Sequence, residues 1–255
     1  MYYSNNNNPM VTQVEGLTDF EDTYSTKDNS VSQQSLELRN KFIQKVYANL
    51  TVMCLITGLS CYAFMTNNEL KNFSTSNSGR ALTWIGFIIL FTTIIITACF
   101  YKIAKVFPYD YGILTIFTVC QSYILGAMCV QFDSNIVIMA GIATIAITLT
   151  LTLFAFQTKY DCTGMGGFLL SSLTGLIVIQ IVNIFVKSSS IQLMAASFGL
   201  IIFSGYLVYD TQLIVGGTHR KYQFSTDEHV FATINLYLDI VNIFVNLLQL
   251  LDSKD

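Results

Sequence analysis

Seven apolar runs follow a polar N-terminal stretch, and mostly short polar links separate them. They lie at about 46–65, 81–100, 110–130, 135–156, 165–186, 191–213 and 228–251. About 20 residues carry a helix across a ~30 Å hydrocarbon core, so each run is long enough to span a bilayer. Short links favour antiparallel neighbours, with a tight hairpin at Gln131 to Ser134. The pattern therefore predicts an all-α membrane protein, a seven-transmembrane-helix bundle.

The last run is distinguished by its polar residues, which recur at steps of four and three and so form one helical stripe. A charge at the bilayer centre costs roughly 2.5–3.5 kcal/mol, so an aspartate in that stripe should face protein or a wet cavity. This places the last helix at the centre of the bundle. An alternative is an amide ladder that only joins helices. The stripe consists of Asn235, Asp239, Asn242, Asn246 and Gln249.

Residues 1–40 are polar and include an asparagine run at Asn5 to Asn8. Their apolar content is too low to offset the entropy lost on ordering, so this stretch is predicted to be a disordered cytosolic tail. The membrane domain is then residues 41–255. No basic start with an apolar run and a cleavage site is present, so the first membrane helix should act as the insertion signal.

Composition agrees with a membrane protein, because hydrophobic residues make up 53% of the chain and charged residues 11%, against a usual ~25% charged for soluble domains. A formal net charge of −3 argues against a nucleic-acid partner. The six cysteines show no CxxC spacing, and His219 and His229 lack a clustered ligand set. No cofactor and no enzymatic activity are predicted. Acids at helix ends, such as Asp110, Asp133 and Asp161, are expected to be solvated or capping.

Small and hydroxyl-bearing residues within the runs predict close helix approach. They include Thr148, Thr150, Thr152, Ser171, Ser172, Gly175, Gly199, Ser204 and Gly205.

Basic residues in the short loops predict the orientation. With the N-terminus in the cytosol, eight basic residues fall inside and four outside. The first outer loop then contains the sequon Asn72-Phe73-Ser74, a weak glycosylation signal. The inner set is Arg39, Lys41, Lys45, Lys102, Lys105, Lys159, Arg220 and Lys221, and the outer set is Lys71, Arg80, Lys187 and Lys254.

A second acid, Asp210, ends the sixth run in the sequence GYLVYD, and Gly216-Gly217 is a plausible helix stop. If that helix runs to Val215, Asp210 lies roughly 8 Å from its end. Asp239 lies at a similar depth on the antiparallel last helix, so the two acids can meet. Alternatively, Asp210 is an interfacial acid that reaches water.

Four stretches resemble the transmembrane Bax inhibitor motif family, in its lifeguard (glutamate-receptor-associated protein) branch. They are FIQKVYANL at 42–50, TLFAFQTKYD at 152–161, GYLVYDTQLIVGG at 205–217 and FATINLYLDIVNIF at 231–244. The resemblance covers about residues 41–251. It implies a seven-helix fold with the last helix surrounded by the other six, a pH-sensitive calcium leak across endomembranes, and a cytoprotective role. By motif match, Asp210 and Asp239 take the places of the family's acidic pair, and Glu228 matches the acid that opens the last helix.

Two carboxylates in a poorly solvated site cannot both ionise cheaply, so Asp210 and Asp239 are expected to share a proton and to act as a pH-sensing gate. Calcium prefers oxygen ligands, and the pair is a candidate for transient calcium binding. Candidates for a cation pathway or a supporting polar stripe are Asn235, Asn242, Asn246, Glu228 and Tyr206.

Two other functions are alternatives. One is a non-conducting membrane scaffold that regulates receptors or death-pathway proteins. The remote one is an intramembrane aspartyl protease, which also uses two aspartates on consecutive helices but needs a GxGD motif where this chain has Leu236-Tyr237-Leu238-Asp239. Expected partners are membrane lipids, calcium ion, and receptor or apoptosis-related membrane proteins. The expected location is the endoplasmic reticulum, Golgi, lysosome or plasma membrane.

Overall fold

The structure is a computed structural model that describes residues 9–99, 108–217 and 219–252, with side chains described for residues 35–97, 108–217 and 219–252. All regular structure in these residues is helical. The helices are α1 (Pro9–Thr66), α2 (Asn68–Thr75), α3 (Asn77–Cys99), α4 (Tyr109–Cys129), α5 (Ser134–Gln157), α6 (Gly166–Val186), α7 (Ser189–Val215) and α8 (His229–Asp252), with a 3-10 turn at Thr163–Met165.

Seven of these helices are long and apolar enough to cross a membrane, in the described part of the chain. The protein is therefore a multi-pass membrane protein, and the predicted seven-helix bundle is confirmed. The last six predicted runs agree with the observed helices to within four residues at each end. The predicted hairpin is present, because α4 ends at Cys129 and α5 begins at Ser134.

The first helix differs most from its predicted run. Its candidate membrane span is Ser35–Thr66, and its backbone is helical from Pro9, inside the tail for which composition predicts disorder. Disorder of this tail stays a prediction. The chain divides into the units Met1–Phe42 and Ile43–Asp255, close to the predicted boundary after residue 40. The asparagine run, and Lys102, Lys105 and Lys254 of the charge count, lie outside the described residues.

Helix α8 is the most buried span of the bundle. In its most apolar window 61% of residues are buried, against 11% in α6. Its main neighbours are α7, α5 and α4. The Tyr237 ring is fully buried against Phe117 of α4, with ring centroids 6.0 Å apart, and its hydroxyl lies 2.7 Å from that of Thr57 in α1. The predicted central position of the last helix is thus confirmed.

The other helices do not surround α8 equally. Helix α3 packs mainly on α4 and α2, and α6 packs mainly on α7. Only two α6 residues, Leu169 and Leu176, are buried. The connection from α6 to α7 contains only Lys187 and Ser188, which favours packing of α6 against its chain neighbour rather than against α8.

The prediction that small and hydroxyl-bearing residues allow close approach is correct at some positions and wrong at others. The hydroxyls of Thr150 and Ser172 bond to carbonyls of their own helices, and Gly175 has open space where a side chain would be. In contrast, Gly205 lies against Leu169, and Gly199 lies against Asn246. The hydroxyls of Thr150 and Ser172 use their one donor within their own helix, so they have no donor left for a neighbouring helix.

Two glycines stop α7 at Val215. Gly216 has φ 62° and Gly217 has φ 113°, which a residue with a Cβ adopts only under strain. This ending fixes the depth of Asp210, five residues before the last residue of the helix.

Candidate functional site

Two buried aspartates meet where α7 and α8 run side by side. Asp210 lies near the end of α7, and Asp239 lies ten residues after the start of α8 at His229. Each residue is 5% exposed. Their carboxyl groups are within hydrogen-bonding contact of each other. The structure thus brings together the two acids that the sequence placed at a similar depth.

The pair opens into a cavity of about 520 Å³ between α6, α7 and α8. Aromatic rings form much of its wall, and Phe224 of the α7–α8 loop lies at the end of the bundle where that loop folds back. We call this end the loop end. The lining residues are Leu173, Phe203, Tyr206, Tyr209, Asp210, Leu213, Phe224, Phe231, Asn235, Leu238, Asp239 and Asn242.

This cavity holds acids without compensating bases, because no lysine, arginine or histidine is among its lining residues in the described chain. The buried Oδ2 of Asp239 also receives no hydrogen bond from an N–H or O–H group of the described residues. A buried carboxylate with no donor and no counter-ion is costly. A proton shared between Asp210 and Asp239 removes that cost, because it lowers the total charge and supplies the missing donor.

The rest of the α8 stripe divides between the cavity and the helix interface. Asn235 and Asn242 line the cavity beside the acids, whereas Asn246 lies one turn further on and is 5% exposed. The amides of Asn242 and Asn246 donate to carbonyls four residues earlier, at 2.8 and 2.7 Å. These two donors are therefore used within α8 and not for hydrogen bonds to a neighbouring helix.

Comparison with known proteins shows the family to which this chain belongs. Residues 39–255 match the family described as inhibitor of apoptosis-promoting Bax1. The chain belongs to this Bax inhibitor family. It is 34% identical to protein lifeguard 3 of Mus musculus over 86% of this chain and 71% of the relative. It is 29% identical to the Golgi anti-apoptotic protein of Vaccinia virus (strain Lister), over 89% of this chain and 91% of the relative.

Three other predicted site residues of this Bax inhibitor family member lie in different settings. Tyr206 lines the cavity, half-buried. Glu228 lies outside the lining, and its carboxylate accepts a hydrogen bond at 3.0 Å from the amide of Ser225, in the turn before α8. Asn72 is exposed on α2, but Ser74 of its sequon is buried and donates to Lys71. Glycosylation of Asn72 stays a prediction.

The sequence analysis missed a third buried acid. Asp110, expected to be solvated, is 3% exposed. Its Oδ2 lies 3.6 Å from Nζ of Lys45 and 3.3 Å from Nε2 of His229, and its Oδ1 accepts the amide of Tyr111 at 2.9 Å. This cluster of Lys45, Asp110 and His229 joins α1, α4 and the start of α8. The acid begins a helix, where the macrodipole favours a negative charge.

Arg220, which the sequence assigned only to topology, holds the loop end together. Its guanidinium donates to the carbonyls of Ala155, Thr158 and Tyr160, the last turn of α5 and the loop after it. The fully buried Gln212 of α7 continues this contact, because it donates to Tyr160 at 3.0 Å and accepts from the amide of Cys162 at 2.7 Å. The α7–α8 loop is thereby fixed to the end of α5.

Asp161 completes this contact from the other side. The hydroxyl of Thr163 donates to its Oδ1 at 2.6 Å, and the amide of Lys221 donates to its Oδ2 at 2.8 Å. These hydrogen bonds, with the nearby charge of Arg220, hold the pKa of Asp161 below its usual range. The loop contact is therefore present above the ordinary pKa of an aspartate and weakens as pH falls through the lowered value.

A permanent metal site is not formed by these residues. In the described part of the chain, no group of three or more His, Cys, Asp or Glu side chains is placed to hold a metal ion. The acid pair offers two carboxyl groups, with the amides of Asn235 and Asn242 on the same wall. Calcium takes six to eight oxygen ligands, so an ion here would keep most of its water.

Proposed function

We propose that this protein is a pH-sensitive calcium leak of an endomembrane with a cytoprotective role, gated by Asp210 and Asp239. One observation carries the proposal: two buried carboxyl groups meet in a cavity whose described lining contains no basic side chain. A neutral pair of side chains would hold α7 and α8 together at least as well. The acid pair is suited to a site that changes its charge.

The switch follows from the charge of the pair. With one shared proton, the carboxyl groups bond to each other and tie α7 to α8. Without it, two like charges about 4 Å apart repel by roughly 4 kcal/mol at an effective dielectric constant of about 20. Each 1.4 kcal/mol changes a population ratio about tenfold, so this repulsion shifts a two-state equilibrium by about three orders of magnitude. Flux therefore rises with pH.

The cavity suits a passing calcium ion better than a stored one. Its volume of about 520 Å³ leaves room for an ion with several waters, since a water occupies about 30 Å³. Asp210 and Asp239, each binding through one oxygen, together with the amide oxygens of Asn235 and Asn242 supply four of the six to eight ligands that calcium prefers. Water completes the shell and the ion binds weakly, as a leak requires.

The relatives support the cellular part of the proposal. One is named for an anti-apoptotic protein of the Golgi, and the family is described by inhibition of apoptosis-promoting Bax1. We extend both to this chain as an endomembrane location and a cytoprotective role, with receptor or apoptosis-related membrane proteins as partners. The positive-inside count places the loop end in the cytosol, and enzymatic activity is not part of the proposal.

The test is calcium flux through the purified protein in dye-loaded liposomes over a range of pH. The wild type should conduct more as pH rises across the neutral range. The variant Asp210→Asn with Asp239→Asn should lose that dependence, because amides carry no titratable proton. Asp133→Asn, which removes an exposed acid next to α5, is the matched control and should keep the wild-type profile.

Two outcomes would contradict the proposal. A wild-type protein that conducts no calcium at any pH would favour the non-conducting scaffold. A double variant that keeps the wild-type pH profile would leave a calcium leak but remove the acid pair as its switch.

A further inference from the structure

The cavity at the acid pair stops within the bundle. Its last lining residues away from the loop end are Phe203 on α7 and Asn242 on α8. One turn beyond them, Gly199 of α7 and Asn246 of α8 are both buried. Because the two helices are antiparallel, these residues lie at the same depth, on the far side of the cavity from the α7–α8 loop.

The contact between Gly199 and Asn246 leaves no space between the helices. A Cβ built on Gly199 would overlap Oδ1 of Asn246 and come within 2.8 Å of its Cγ. The Asn246 side chain is held in place by its own hydrogen bond to the carbonyl of Asn242, at 2.7 Å. The amide therefore fills the space that a side chain on α7 would otherwise take.

The polar stripe continues past this contact. Gln249 lies three residues further along α8, and its Oε1 is buried without a hydrogen-bond partner in the described structure. An unpaired buried amide oxygen destabilises the protein, and that cost disappears when water or a cation reaches the oxygen. The stripe from Asp239 through Asn242 and Asn246 to Gln249 thus has polar oxygens on both sides of the closed point.

We infer that Asn246 and Gly199 form a second gate, which closes the calcium pathway between the acid-pair cavity and the opposite face of the membrane. The inference rests on the proposed calcium leak. The gate is closed because the Asn246 side-chain amide occupies the gap between α7 and α8 and leaves no room for an ion. When the helices separate, the same amide oxygen faces the ion.

The test is calcium flux into dye-loaded liposomes that contain the full chain, at one fixed alkaline pH. Asn246→Ala removes the blocking amide and should raise the flux several-fold. Gly199→Ala forces Asn246 aside or pushes the helices apart, and it should also raise the flux. In the double variant Gly199→Ala with Asn246→Ala, the new methyl group fills the space that the amide left. The calcium flux of this variant should therefore return toward that of the wild type. Two damaging substitutions would otherwise add.

Two further variants test whether the volume of the Asn246 side chain or its amide group controls the flux. Asn246→Leu keeps the blocking volume without the amide oxygen, and it should lower the flux below that of the wild type. Gly175→Ala is the matched control, since a Cβ there meets nothing within 4 Å, and its flux should equal that of the wild type.

The outcomes distinguish this gate from the proposed function. A wild type without flux contradicts the leak and the gate together. A conducting wild type whose flux is unchanged by Asn246→Ala and Gly199→Ala contradicts the gate alone. Should Asn246→Ala fail to fold, the comparison of Gly199→Ala with the double variant decides: a double variant that conducts as much as Gly199→Ala, or more, overturns the gate.

Discussion

Asp110 and the pair of Asp210 and Asp239 are all buried acids, yet their surroundings are opposite. Asp110 has Lys45 and His229 within 3.6 Å, and it accepts a backbone amide. The pair has only each other and a cavity without basic side chains among its described lining residues. The first arrangement satisfies a charge. The second leaves one unsatisfied.

The difference separates a structural acid from a functional one. A buried charge with a counter-ion and a backbone donor in place, as Asp110 has in Lys45 and the amide of Tyr111, holds helices together. A buried pair without them can keep its position only by binding a proton or a cation, so its charge responds to both. Burial alone therefore does not identify a site, whereas burial without compensation does.

The largest expected effect compares Asp110→Asn with Asp239→Asn. Breaking a buried ion pair costs roughly 3–5 kcal/mol, and the partial exposure of Lys45 reduces this, so Asp110→Asn should destabilise the protein by about 3 kcal/mol. Asp239→Asn should be neutral or stabilising, because its amide can donate to Asp210. Thermal unfolding in detergent measures both. A greater loss for Asp239→Asn would contradict the comparison.

The same comparison has a pH dependence. The wild type should lose stability relative to Asp239→Asn as pH rises and the pair gives up its shared proton. At acidic pH the two proteins should be equally stable, because the wild-type pair is then protonated. Unfolding temperatures that stay parallel at every pH would show that the pair does not titrate.

A smaller effect is expected at Arg220. Arg220→Ala removes hydrogen bonds from a charged donor to the end of α5, and it should cost about 1.5–3 kcal/mol. Lys221→Ala is the matched control, because Lys221 bonds to Asp161 through its backbone amide, which the substitution keeps. Thermal unfolding should separate the two variants, and equal losses would argue against the guanidinium contact.

The smallest effect is expected at His229, in its influence on the pH response. His229→Gln removes a titratable side chain from the compensated cluster, where Asp110 still has Lys45 at 3.6 Å. The pH profile of calcium flux should therefore keep its wild-type midpoint, even if stability falls. A shifted midpoint would show that the cluster, and not only the acid pair, senses pH.

The sequence predicts the parts of this structure that depend on local pattern. Apolar runs of bilayer length give the seven spans. The recurrence of Asn235, Asp239 and Asn242 on one helical face gives the side of α8 that lines the cavity. The approach of Asp210 to Asp239 also follows, because Gly216 and Gly217 fix where α7 ends.

The remaining features depend on contacts that no local pattern contains. The side-chain partners of Asp110 lie on two other helices. Arg220 bonds to backbone carbonyls. Every residue has a backbone carbonyl, so the sequence does not indicate which ones Arg220 contacts. The short helix α2, with Asn67 as its N-cap, lies in a link that carries no apolar run. The contact of Gly199 with Asn246 depends on the register of α7 against α8.

Infrared difference spectroscopy between weakly acidic and alkaline pH tests the shared proton most directly, because a protonated carboxyl group has a C=O band distinct from that of a carboxylate, and exposed carboxyl groups with their ordinary pKa of about 4 stay ionised over that range. The wild type should show a protonated-carboxyl band at the lower pH, and this band should disappear as pH rises. It should remain in Asp133→Asn and be absent from the variant Asp210→Asn with Asp239→Asn. A pH-dependent carboxyl band that persists unchanged in the double variant, or a wild type without one, would contradict the shared proton.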